Sequence, residues 1–197
     1  RGKKINAFAK AVFYLPSVTN QVALVIVWNF LFSPAFGLVA SIFRILKLDP
    51  ISWFDSPVTA IPLLALLICT YGLGQPVILY TAAINGIPDC YFEAARIDGA
   101  TENQIFFSIT LRLLHGTTTY ILITSTIGML QIFAVPYLMT NGGPSFRTST
   151  LLMLVYTSAF QNGSFGYASA IGVVLFFITA AIAFIQFRMM RQDAIEY

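Results

Sequence analysis

Residues 56–88 read SPVTAIPLLALLICTYGLGQPVILYTAAINGIP, with no Asp, Glu, Lys or Arg among them. A helix needs roughly 20 apolar residues to cross about 30 Å of hydrocarbon, and this run is longer than that. Three more charge-free runs lie between Lys10 and Arg44, between His115 and Arg147, and between Arg147 and Arg188. Hydrophobic residues make up 57% of the 197, charged residues only 10%, and the mean hydropathy is +0.78. A soluble domain carries about 25% charged residues. There is too little charge here to cover a water-facing surface, so the chain reads as an all-α integral membrane protein.

The runs divide into four spans, expected at about 13–32, 59–84, 117–137 and 167–187. In the first, Asn20 and Gln21 are polar but uncharged, which a helix packed against other helices accepts. The second contains Gly72, Gly74 and Pro76, residues that kink or narrow a helix. The third ends at Pro136. The last charge-free stretch is too long for one straight crossing and is broken by Gln161-Asn-Gly-Ser164. Its first part, about 150–160, is expected as a short outer helix, since a run of this length is more often interfacial than spanning.

The net charge of +3 is not a nucleic-acid signal, because no basic stripe interleaves with aromatics. What counts is the side each charge occupies. Arg1, Lys3, Lys4, Lys10, Arg96, Arg112, Arg188 and Arg191 fall on one side of the four spans; Arg44, Lys47 and Arg147 fall on the other. The excess marks the first side as cytoplasmic, with both ends of the chain and the loop 85–115 inside. Cys69 and Cys90 point to neither a disulfide framework nor a metal site. No secretory signal opens the chain, and its abrupt start is expected of a sequence that begins partway through a longer protein. His115, the single histidine, is read as an interfacial residue.

Most of the remaining charge sits in loop 85–115, where Asp89, Glu93, Arg96, Asp98, Glu102 and Arg112 fall together. Pro88 suits the first turn of a helix and Asp89 its positive end. Gly99 is placed to end that helix in a left-handed conformation. Thr101 with Gln104 three residues on predicts a capping box opening a second helix, along which Ile105, Phe106, Ile109 and Leu113 recur at helical spacing.

Glu93-Ala94-Ala95, then Gly99, then Ile109 and Leu111 resembles the E-A-A loop of ABC importer permeases, the membrane subunits of binding-protein-dependent uptake systems in bacteria and archaea. Tyr14-Leu-Pro-Ser17, Trp28 to Pro34, Phe36-Gly37, Thr140 to Pro144 and Phe165 to Ala170 resemble the sugar-uptake branch, of maltose and glycerol-3-phosphate type. The resemblance implies the polytopic type I permease fold without its first two N-terminal spans. It also implies residence in the plasma (inner) membrane, a second permease subunit, a cytoplasmic ATPase dimer and an extracytoplasmic solute-binding protein. Glu93, Ala94, Ala95, Asp98, Gly99, Ile109 and Leu111 are then expected to couple the spans to the ATPase. The family motif continues with proline where this chain has Arg112, which keeps a backbone donor that proline would remove.

Polar uncharged residues in the spans, Tyr71, Gln75, Tyr80, Ser125, Thr126 and Gln131, suit a neutral polyhydroxylated ligand. The resemblance places Tyr71, Gly72, Gln75, Ser125 and Met129 along the substrate path. Hydrogen bonding between helices is the competing role for the polar members. An ion-coupled carrier is disfavoured, since such carriers keep ionisable groups within the membrane. No nucleophile–base pair or metal-ligand spacing points to an enzyme or a cofactor, and the resemblance implies that ATP is hydrolysed by a partner subunit. Glycerol-3-phosphate or another small solute is the alternative cargo.

Overall fold

The computed structural model describes residues 2–191; Arg1, one of the basic residues used to orient the chain, lies outside them. The described residues form helices and turns without a strand. In order these are α1 (Gly2–Val18), α2 (Gln21–Leu31), α3 (Leu38–Ile45), α4 (Pro57–Gly72), α5 (Gly74–Asn85), α6 (Asp89–Ile97) and α7 (Glu102–Ile105). A π-helical turn, Phe106–Thr110, leads into α8 (Leu111–Leu113) and α9 (His115–Leu130). Then come α10 (Ala134–Thr140), α11 (Leu151–Tyr156) with a second π-helical turn at Thr157–Gln161, and α12 (Phe165–Arg191).

Three continuous stretches are long and apolar enough to cross a membrane: Pro57–Asn85, His115–Thr140 and Phe165–Met190. The stretch expected as a first straight span, 13–32, is broken. Lys10–Val18 and Gln21–Leu31 meet at 108°. The cause is local: Asn20 has left helical geometry (ψ 127°), and its Oδ1 accepts the Val22 N–H at 2.8 Å, capping α2. Pro16, which has no N–H, further loosens the end of α1.

The Ile132 carbonyl lies between α9 and α10, outside both helices, and accepts the Thr150 hydroxyl at 2.8 Å. The same hydroxyl oxygen accepts the Met153 N–H at 3.3 Å and so starts α11. One side chain thus mends α9–α10 and opens the next helix.

The buried core joins α2, α4 and α10 through Val25, Leu63, Leu64, Leu67, Val135 and Met139. Trp28, Phe32 and Trp53 close one end, with Trp28 stacked on Phe32 and Trp53 edge-on to it. Outside this core most large apolar side chains are exposed, Val58 at 81% and Phe176 and Phe177 at 65% among them. Such a surface is stable only against lipid or other protein. Two polar bonds fix α9 between its neighbours: Tyr80 Oη donates to Thr118 Oγ1 at 3.1 Å, and Gln186 Nε2 donates to Thr126 Oγ1 at 2.9 Å.

Candidate translocation cavity and coupling loop

The charged loop is built from local signals. α6 ends in a Schellman turn: the Gly99 N–H bonds the Arg96 carbonyl at 3.1 Å and the Ala100 N–H bonds the Ala95 carbonyl at 3.0 Å. Gly99 holds φ +79°, as that turn requires. Thr101 and Gln104 then form a reciprocal capping box, Oγ1 accepting the Gln104 N–H and Gln104 Oε1 accepting the Thr101 N–H at 2.8 Å. Arg96 and Glu102 bridge the two arms at 3.2 Å.

Of the residues expected to couple, Glu93, Ala94, Asp98 and Gly99 are exposed, and Ala95 is buried at the base of α6. Ile109 is half-buried inside the π-helical turn, and Leu111 begins α8 with 43% of its surface exposed. That turn changes the expected pattern. The added residue aligns Ile105, Thr110 and Leu114 inward, and Phe106 is left 47% exposed. Arg112 is helical and exposed, and the chain breaks after it at Leu114 (φ −83°, ψ 0°) before α9 begins.

A cavity of about 580 Å³ lies where α2, α4, α5 and α9 meet. Tyr71, Gly72, Gln75, Ser125 and Met129 all line it. Gln21, Thr124 and Gln131 line it as well, against apolar walls that include Ile68, Leu79, Ile121 and Phe133. No Asp, Glu, Lys, Arg or His takes part. Tyr80 and Thr126 instead face a second cavity, on the other side of Ser125 and Met129. Gln21 is the first residue of α2 after the bend, Gln75 lies in the first turn of α5, and Gln131 caps the end of α9.

A family model described as "Binding-protein-dependent transport system inner membrane component" matches residues 1–192. The chain belongs to this family. The family is one of inner-membrane components of binding-protein-dependent transport systems, and the described residues of this chain are helices and turns. It is 31% identical over 191 residues to a probable ABC transporter permease protein, YurN, of Bacillus subtilis, covering 96% of this chain and 65% of that protein. It is 34% identical over 168 residues to the sulfoquinovosyl glycerol transport permease SmoG of Agrobacterium fabrum, covering 85% and 54%. The chain therefore spans less than two thirds of the length of both relatives. Its fold matches that of a chain in a bacterial alginate ABC transporter solved with an alginate pentasaccharide-bound periplasmic protein. The TM-score is 0.88 at 22% identity, over 98% of this chain and 68% of that one.

Within this permease fold, sequence reasoning missed Gln21 as a lining residue because it assumed a straight first span. The signal was present: Asn20 is a strong N-cap residue type, and a capped start inside an apolar run marks a break.

Proposed function

We propose that the chain is the membrane-spanning permease subunit of an ATP-driven importer that carries a sugar through the cavity beside Tyr71 and Gln75. The observation that carries this reading is the cavity itself. Five residues picked on resemblance line one space, with hydroxyl and amide groups set among apolar walls and no ionisable group. Such a lining suits a neutral solute with many hydroxyls, whose ring faces are apolar and whose edges hydrogen-bond. Relatives named for multiple sugars, diacetylchitobiose and trehalose/maltose support the same class of cargo.

Coupling runs through the loop 85–115. Glu93, Ala94, Asp98 and Gly99 offer an exposed surface to a cytoplasmic ATPase dimer, and Ile109 and Leu111 carry the movement into α9. The Schellman turn, the capping box and the ion pair stiffen the loop, so that it moves as a unit. Shifting the spans from 1:99 to 99:1 between two states takes about 5.5 kcal/mol of preference, which the nucleotide-bound ATPase supplies through this contact. A second permease subunit and an extracytoplasmic binding protein complete the path. Both ends of the chain face the cytoplasm on this reading, because eight of the eleven Lys and Arg residues then lie inside.

Radiolabelled uptake across a panel of sugars, by the full complex in proteoliposomes, tests the reading. ATP-dependent accumulation of at least one neutral sugar is expected. Accumulation driven by an ion gradient without ATP would sink it.

A further inference from the structure

Leu38, Ile42 and Ile45 recur at helical spacing along one face of α3, and all three are exposed. Phe36 before the helix and Leu46 after it are exposed as well. The opposite face is used within the chain: Ala40 is buried, and Phe43 packs edge-on to Trp53 with ring centroids 6.3 Å apart. Apolar side chains thus leave α3 on two faces, and only one of these meets protein among the described residues.

The way α3 is attached fixes its depth. The chain turns back as soon as α2 ends: the Gly37 N–H bonds the Ser33 carbonyl at 2.9 Å, and a Cβ on Gly37 would run into the Leu31 and Ser33 carbonyls. Arg44 ties the helix to the same turn, its Nη2 donating to the Pro34 carbonyl at 3.0 Å and the Ala35 carbonyl at 2.6 Å. Trp28, Phe32 and Trp53 cluster at this level, and tryptophan is enriched where a bilayer meets water. The next crossing stretch starts at Pro57, so α3 lies between the ends of two apolar segments. Its eight residues, about 12 Å, are too few to cross by themselves.

Charge gives the second half of the pattern. Residues 34–48 hold Arg44 and Lys47 and no Asp or Glu; the acids of this loop come later, at Asp49 and Asp55. Both cations are exposed, and neither forms an ion pair with a described residue. Lys47 also stands in an unusual place. α3 ends in a Schellman turn, with the Leu48 N–H on the Phe43 carbonyl at 2.9 Å and the Lys47 N–H on the Arg44 carbonyl at 3.0 Å. The left-handed position of that turn, usually glycine, is Lys47 at φ +57°. A cationic side chain is held there against the preference of the backbone.

We propose that α3 is an interfacial helix docked on the outer leaflet, with Leu38, Ile42 and Ile45 among the acyl chains and Arg44 and Lys47 on the phosphate of an anionic phospholipid. The leaflet follows from the orientation proposed above; the docking is independent of the cargo. A short apolar stripe flanked by cations and held at the boundary has the form of helices that lie in a lipid interface. Long basic side chains reach the headgroups from that depth. A soluble partner would meet a patch with polar groups to pair. Ser41, beside the stripe, already gives its hydroxyl to the Gly37 carbonyl at 3.1 Å.

The test uses the complete transporter, with its partner permease and ATPase, in lipid nanodiscs. Cys69→Ser and Cys90→Ser clear this chain of thiols, and Ile42→Cys carries a bimane label. Phospholipid brominated in its acyl chains is expected to quench the label, and iodide in the water is not. Brominated phosphatidylglycerol should quench about fivefold more effectively than brominated phosphatidylcholine, the factor that one basic side chain contributes near an anionic surface. Lys47→Gly removes the charge and relieves the left-handed backbone, so the preference falls toward unity while the melting temperature holds or rises. Lys47→Arg keeps the preference. Quenching by iodide and not by lipid would put the face in water and overturn the proposal. Shielding from both quenchers would mean that protein covers the face, whether a binding protein, a partner permease or a segment of a longer chain, and overturns it too. Equal quenching by the two lipids, or a preference unchanged in Lys47→Gly, overturns the headgroup assignment. No transported solute enters these measurements, so their failure is distinct from failure of the sugar-import reading.

Discussion

Gln186 on α12 donates to Thr126 on α9 at 2.9 Å, while the Oε1 of the same amide is buried with no partner among the described residues. The two ends of that side chain pull in opposite directions energetically. The bond between helices is worth about 0.6 kcal/mol on average in a membrane protein. The stranded acceptor costs about 1–3 kcal/mol.

Removing the amide therefore costs little. Gln186→Met is expected to change stability by less than about 1 kcal/mol, because the lost bond and the relieved acceptor offset one another. Thr126→Val is expected to cost more, about 1–3 kcal/mol, since it leaves both ends of the Gln186 amide unpaired. The double variant should return to the level of Gln186→Met alone. Unfolding in detergent, followed as a double-mutant cycle, reads the difference.

Gly99 separates backbone strain from crowding. A Cβ there meets nothing within 4 Å, yet φ is +79°. Gly99→Ala and Gly99→Leu should thus lose the same stability, about 1–2 kcal/mol, from the left-handed conformation alone. If the loop seats against an ATPase, only the leucine also depresses stimulated ATP hydrolysis, so paired melting and hydrolysis measurements distinguish the two effects.

At Gly74 the reverse holds. Its backbone conformation is ordinary, but a Cβ would run into the side chain of Ser17, where α1 crosses α5. Gly74→Ala is expected to destabilise by about 1–3 kcal/mol through overpacking. Ser17→Gly in the same chain removes the colliding atoms and recovers part of that loss. Melting of the single and double variants checks it.

The cap outweighs the ion pair in the loop. Arg96 and Glu102 are 57% and 77% exposed, so Glu102→Gln should cost at most about 0.5 kcal/mol and less in high salt. Thr101→Ala removes one half of the capping box and should cost about 1 kcal/mol with no salt dependence. Comparing both variants in low and high salt tests the ranking.

These contrasts also explain what the sequence disclosed. The Gly99 turn and the Thr101–Gln104 box were legible because each is a contract between residues three to five apart. Asn20 was ambiguous: within an apolar run the same side chain serves as a contact between helices or as a cap, and only the backbone angle decides. The inward set Ile105, Thr110 and Leu114 was hidden, since a π-helical turn shifts the period while leaving an apparently regular apolar pattern. Tyr71, Gly72, Gln75, Ser125 and Met129 were grouped by resemblance and not by spacing. That the Gln21 amide has no bond is a tertiary fact, absent from any local pattern.

The π-helical turn at Phe106–Thr110 has a bearing on how much length this segment can give up. A wide turn stores one residue more than an α-helix needs between the same two ends. Taking a single residue out there lets the turn relax to ordinary α geometry, with α7 and α9 keeping their relative rotation. A deletion in the middle of α9 has no such slack. It swings everything beyond it by about 100° around the axis and turns the wall facing Gln75 toward lipid. Between the charged loop and the cavity, the place most tolerant of a shortened gene is thus the irregular turn.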